Sequence, residues 1–186
     1  MPLWFIVGVL ITFSPEFAKV LNIQHAETIE AGKAIAFCYG GLVFGDIASG
    51  LLSQWLKSRI KVMYWFVFFS FIMTVIYLNS TQISTTAFYF ICFLMGASVG
   101  YWVLFVTISA EQFGTNIRAT VTTTAPNFVR GSLPLIIFVY SYFRDSFFDG
   151  NILYAALVVS LILSALAVLA LSQLKETFSV DLDYVE

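Results

Sequence analysis

Residues 62–110, VMYWFVFFSFIMTVIYLNSTQISTTAFYFICFLMGASVGYWVLFVTISA, run for 49 positions without one Asp, Glu, Lys or Arg. A hydrophobic stretch of about 20 residues crosses the roughly 30 Å hydrocarbon layer as a helix, so this run holds two crossings and a turn. Residues 150–174 add another 25 charge-free positions. No water-facing surface can be made from either. The whole chain agrees: 60% of its 186 residues are hydrophobic and 11% charged, against about 45–50% and about 25% in an ordinary soluble domain. A soluble globular protein is excluded, and the chain reads as a polytopic membrane protein.

Working outward from that run, polar or charged punctuation divides the chain into six apolar segments, at about 3–21, 33–56, 62–78, 86–110, 119–143 and 151–172. Barrel strands would show alternating runs of about ten residues. These segments are longer and apolar on every side, so the expected fold is an all-α integral membrane bundle of six transmembrane helices. Residues 1–175 form one domain, and 176–186 a short tail. The connections after the second and fourth spans and the tail carry Lys57, Arg59, Lys61, Arg118 and Lys175, against Lys19, Lys33 and Arg144 on the other side. Basic residues favour the cytoplasm, which puts both termini inside, in a cell (inner) membrane.

Several classes drop out. A net charge of −2 provides no basic field for nucleic acid. Cys38 and Cys92 sit in apolar runs with no CxxC and no histidine cluster, so neither a disulfide framework nor a metal site is expected. No nucleophile and base constellation or Gly-rich phosphate loop appears, which argues against an enzyme and against a bound cofactor. Apolar sequence begins at once with Met1-Pro2-Leu3-Trp4, without a basic leader or cleavage site. So abrupt an opening suggests a fragment.

Two connections have a recognisable form. Gly50-Leu-Leu-Ser-Gln54-Trp-Leu-Lys57-Ser-Arg59 follows the second span, and Ala110-Glu111-Gln-Phe113-Gly-Thr115-Asn-Ile-Arg118-Ala119-Thr120 follows the fourth. The first resembles the G-x-x-x-D-R-x-G-R-R loop of the major facilitator superfamily of transporters. Gly50 and Arg59 match; Gln54, Trp55 and Lys57 replace the pattern's Asp, first Arg and inner Gly. The second is similar to the A-E-x-F-P-T-x-x-R-A-T turn of that superfamily, with Gly114 for the usual Pro. Asn127-Phe-Val-Arg130-Gly131-Ser-Leu-Pro134 resembles, with its Pro one position early, the N-x-x-R-x-x-x-x-P pattern of sugar-porter-like and metabolite:proton symporter-like members. The resemblance implies the C-terminal half of a twelve-helix transporter, a 3+3 inverted repeat. Solute then binds between this half and a missing N-terminal half, or a second copy, near the midplane.

Two ionisable residues lie deep in the expected spans. Asp46 is near the centre of the second, where such a side chain costs a few kcal/mol and needs a partner or a water-filled cavity. Asp46, Ser49 and Ser53 recur at i, i+3 and i+7 and share a helix face. Arg130 lies eleven residues into the fifth span, roughly 16 Å deep at 1.5 Å per residue. Equal depth permits a salt bridge between them. Alternatively, Asp46 carries a proton or faces the solute, and Arg130 receives an anion with its forked donors. Asn127, Tyr39, Tyr101 and Trp102 share helices with these residues or with small ones and are either pocket-lining or packing residues. Glu16 follows Pro15, which can kink or end the first span, and sits in a cavity mouth or in the headgroups.

Gly41-x-x-x-Gly45 and Gly96-x-x-x-Gly100 offer close helix packing. Pro126 and Pro134 should bend the fifth span around Arg130. Glu111 and Arg118 are expected to clamp the turn between the fourth and fifth spans. His25 in the connection after the first span reads as solvated. Together these features predict a secondary-transporter half that moves a small polar or anionic solute by alternating access, with proton coupling through a membrane carboxylate. The alternative is a stand-alone six-helix scaffold or assembly protein. Beyond solute and the missing half, the partner is the lipid bilayer.

Overall fold

A computed structural model describes residues 2–179 of the chain. Residues 180–186 of the expected tail lie outside the described residues. Helices and short turns account for the described backbone, with no strand among the described residues. The elements are α1 (Pro2–Phe5), continued by a π-helical segment (Ile6–Ile11), then α2 (Ser14–Val20) and α3 (Ala31–Trp55). After them come α4 (Arg59–Asn79), α5 (Thr85–Ser98), α6 (Trp102–Glu111), α7 (Thr115–Gly131), α8 (Leu133–Ser146) and α9 (Ile152–Leu171). Starts are set by capping side chains. Ser58 accepts from the Lys61 N–H at 3.2 Å, Ser84 from Ala87 at 3.2 Å, and Asn151 from Leu153 and Tyr154 at 3.0 and 3.1 Å.

Four helical segments are long and apolar enough to cross a membrane: Ala31–Trp55, Arg59–Asn79, Thr85–Glu111 and Ile152–Leu171. The expected first span, 3–21, is not one straight helix. Pro2–Ile11 and Ser14–Val20 meet at 68°, and only as a bent pair do they make a fifth crossing. The break falls just before Pro15, which cannot donate a backbone hydrogen bond. At the break Val7 O accepts from both the Thr12 N–H, at 3.2 Å, and the Thr12 hydroxyl, at 2.8 Å, while Leu10 O accepts from the Tyr77 hydroxyl of another helix at 2.9 Å. Such re-satisfaction is what lets a helix bend at membrane depth.

The expected fifth span, 119–143, is likewise two helices, α7 and α8, parted at Ser132. Pro134 explains the break, because its ring clashes with the carbonyl four residues back, that of Arg130. α7 is polar along its length, carrying Thr120, Thr122, Thr123, Thr124 and Asn127, and none of its residues is buried. It is not among the helices apolar enough to cross by themselves.

The closest pairing in the bundle is α3 against α5. Ala34, Cys38, Gly41, Gly45, Ser49 and Ser53 form one buried stripe of small residues on α3. A Cβ on Gly41 would collide with the Phe93 carbonyl, and one on Gly96 with the Cys38 carbonyl. The two small-residue motifs therefore interlock backbone to backbone, as the sequence suggested. The remaining core is filled by Phe5, Leu10, Phe17, Tyr77, Phe88 and Met95, all buried.

Candidate functional site

The backbone of the fourth span is interrupted between α5 and α6. At residues 99–101 the chain leaves α5 in a tight turn, with the Tyr101 N–H donating to Val99 O at 2.8 Å. A helix start leaves its first N–H groups without intrahelical partners. Asp46 supplies one from a different helix: its Oδ1 accepts from the Val103 N–H at 3.2 Å, with the Trp102 N–H also directed at the carboxylate. Glycine contact makes this reach possible, since a Cβ on Gly100 would strike Gly45 and the Asp46 nitrogen. Asp46 is thus an interhelical cap on α6, negative charge at a positive helix end.

Arg130 is elsewhere. Its guanidinium lies over the indole of Trp4, 5.4 Å from the ring centroid, and its Nη1 is 3.5 Å from Asn127 Oδ1. Among the described residues no carboxylate forms an ion pair with it. Of the two arrangements open from the sequence, the Asp46–Arg130 salt bridge is absent. Arg130 and Asn127 are exposed on the polar face of α7, and Asn127 also donates to Thr123 O at 3.0 Å. Trp102 joins the group through Trp4, their rings meeting edge to face at 5.7 Å. Trp4 is the member that sequence reasoning missed. As an aromatic in the opening apolar run it carried no distinguishing signal.

Of the other expected pathway residues, Tyr101 shares a cavity wall with Trp4 and Trp102, and Tyr39 and Glu16 stand apart. Tyr101 is buried at the α5–α6 turn. Tyr39 is exposed on α3, two turns before Asp46. Glu16 is exposed on α2 and lines a small cleft of about 90 Å³ with Tyr140 and Arg144 of α8.

The loop motifs meet at one end of the bundle. Arg59 grips Glu111 through two bonds, Nε to Oε2 at 2.6 Å and Nη2 to Oε1 at 2.7 Å. The clamp expected between Glu111 and Arg118 is therefore formed by Glu111 and Arg59, because both Glu111 oxygens are turned to that guanidinium. Arg118 donates to the carbonyls of Ala110 at 3.0 Å and Phe113 at 3.2 Å, closing the end of α6. Gly50 lies in open space on α3.

Glu176, which sequence reasoning left in the tail, is drawn into the same end. Its carboxylate accepts from the Ser58 hydroxyl, from the Arg59 N–H at 2.9 Å and from the Ile60 N–H at 3.4 Å. Phe178 stacks under Arg59 at 5.6 Å, and the Gln112 amide donates to Lys175 O at 2.8 Å. Partial burial alone would raise the Glu176 carboxyl, but the Ser58 hydroxyl and the Arg59, Phe178 and Ile60 amides outweigh it and hold it below its ordinary value. Arg59, Arg118 and Lys175, assigned to one side by counting charge, thus share one end of the bundle.

No family model, curated protein or solved structure matches the chain.

Proposed function

We propose that the chain is the C-terminal six-helix half of a major-facilitator-type secondary transporter, with both termini in the cytoplasm, that moves a small anionic solute by alternating access. The carrying observation is α7. It exposes Thr120, Thr123, Thr124, Asn127 and Arg130 along one side, and Arg130 has no carboxylate partner among the described residues; this reading places that helix at membrane depth. Hydrocarbon cannot solvate such a face, so in this reading it borders a water-filled path closed by the other half or a second copy. A cation held on an aromatic face beside an amide suits a carboxylate or phosphate group. Discontinuous helices around a midplane site fit the same reading. Proton coupling runs through Asp46, whose neutralisation weakens its hold on the start of α6.

The test uses the purified chain in lipid nanodiscs with acetate, succinate and phosphate as probe anions and glucose as a neutral control. At least one anion raises the thermal unfolding midpoint, glucose does not, and Arg130→Gln abolishes the response. An anion response that survives Arg130→Gln, or none at all, overturns the proposal.

A further inference from the structure

We infer that the apolar cavity at the Arg59 end of the bundle is the seat of an apolar helical segment of the other half, set end to end with α1. Three helices converge at this end. Arg59 opens α4 and pairs with Glu111 at the end of α6, and Glu176, just beyond α9, is bonded to Ser58 and to the Arg59 N–H. The first segment, Pro2–Ile11, does not reach it. Leu10 O accepts from the Tyr77 hydroxyl, which fixes the level of that segment against α4. From there α4 extends 18 residues back to Arg59, while the first segment extends eight back to Pro2. At about 1.5 Å per residue, α4 runs on for about 15 Å, nearly three turns of helix.

The cavity, of about 330 Å³, occupies that stretch. Of the first segment only Pro2, Leu3 and Trp4 line it, so it lies beyond the start of that helix. Its other walls include Met63 in the first turns of α4, Ile108 late in α6, and Ala167 and Ala170 late in α9. In hydrocarbon a backbone has no partner but itself, so a peptide entering this space is helical. Its last carbonyls then meet the N-terminal end of α1, the alignment that helix dipoles favour. Ala167 and Ala170 present small side chains, which admit another backbone closely. A lipid chain would satisfy the apolar wall but gains nothing from the axial alignment. The inference rests on the reading that another half completes the bundle. It does not depend on what is carried, so failure of the anion response at Arg130 leaves it standing.

The experiment uses the full chain in phosphatidylcholine nanodiscs and a synthetic peptide of about ten Leu and Ala residues behind two lysines, long enough to fill the stretch as a helix, with one central Cys. Mild oxidation should join the peptide to Ala170→Cys several-fold more than to Ala165→Cys, which is exposed on another face of α9 and outside the cavity wall. The wild type, whose Cys38 and Cys92 are buried, gives the background. The peptide should also raise the thermal unfolding midpoint by several degrees, and a peptide with two central Asp residues should do neither. Ile108→Trp, which fills the space, should abolish both effects. Where that variant fails to fold, Ala167→Trp on the less buried wall tests the same point. Absent or equal crosslinking at the two positions, an equal effect of the Asp peptide, or crosslinking that survives the filled cavity overturns the inference. So does phospholipid held in the cavity, seen in native mass spectrometry as lipid that the wild type retains and Ile108→Trp loses, without a peptide crosslink.

Discussion

Arg59 and Glu111 lie 52 positions apart in the chain and join as a two-bond ion pair, at 2.6 and 2.7 Å, that ties the start of α4 to the end of α6. Their side chains retain only 14% and 11% of their accessible surface, so this is not an ordinary exposed pair. Removing one partner of a fully buried pair strands the other charge, at about 3–5 kcal/mol, and a part-buried pair such as this one should lie below that. Glu111→Gln should therefore lower the thermal midpoint sharply, and Arg59→Gln with Glu111→Gln should recover much of the loss. A single variant as stable as the wild type would refute the pairing.

Asp46 and Arg130 act on different partners, which predicts independence. Uncoupled sites add within about 0.3–0.5 kcal/mol, so denaturant unfolding of Asp46→Ala, Arg130→Gln and the double variant should give additive losses. Asp46→Ala should cost about 0.5–2 kcal/mol, the usual value of a helix N-cap. Asp46→Asn, which keeps the accepting oxygen, should cost less. Strong non-additivity would restore the salt bridge.

The α3–α5 contact separates two glycines of the same helix. Gly41→Ala should destabilise the fold severely, because the new Cβ meets the Phe93 carbonyl and backbone cannot step aside. Gly50→Ala meets nothing within 4 Å and should stabilise by about 0.5–1 kcal/mol, as Ala does over Gly inside a helix. Parallel melting curves decide the matter, and equal effects at both positions would contradict the interlocked packing.

Glu176 gives the bundle end a pH dependence. Its folded value is depressed, so the tail contact stabilises at pH above the ordinary carboxylate value of 4.5 and is lost as pH falls through the lower folded value. Protection factors at the start of α4, with the intrinsic slowing of amide exchange in acid divided out, should fall on acidification, and Glu176→Gln should show low protection already at neutral pH. Protection factors independent of pH in the wild type would rule out this contact.

Much of this protein could be read from residue order alone. Charge-free runs fix helices because hydrocarbon tolerates no unpaired backbone, and that logic needs no tertiary contact. The small-residue motifs on α3 and α5 were legible for a related reason: nothing but close backbone approach rewards glycine at that spacing in an apolar helix. The break at Pro134 was equally local. Which charges meet was not local. Depth along a helix gave Asp46 and Arg130 the same level, and chain proximity gave Glu111 and Arg118 the same turn, yet neither fixes the rotation of one helix about its axis against another. Only the folded bundle sets that rotation. The contact of Gly45 with Gly100 delivers Asp46 to the start of α6, while the break after α7 leaves Arg130 on Trp4. Side-chain partners at membrane depth are chosen by packing across helices, and sequence spacing within one helix carries no record of it.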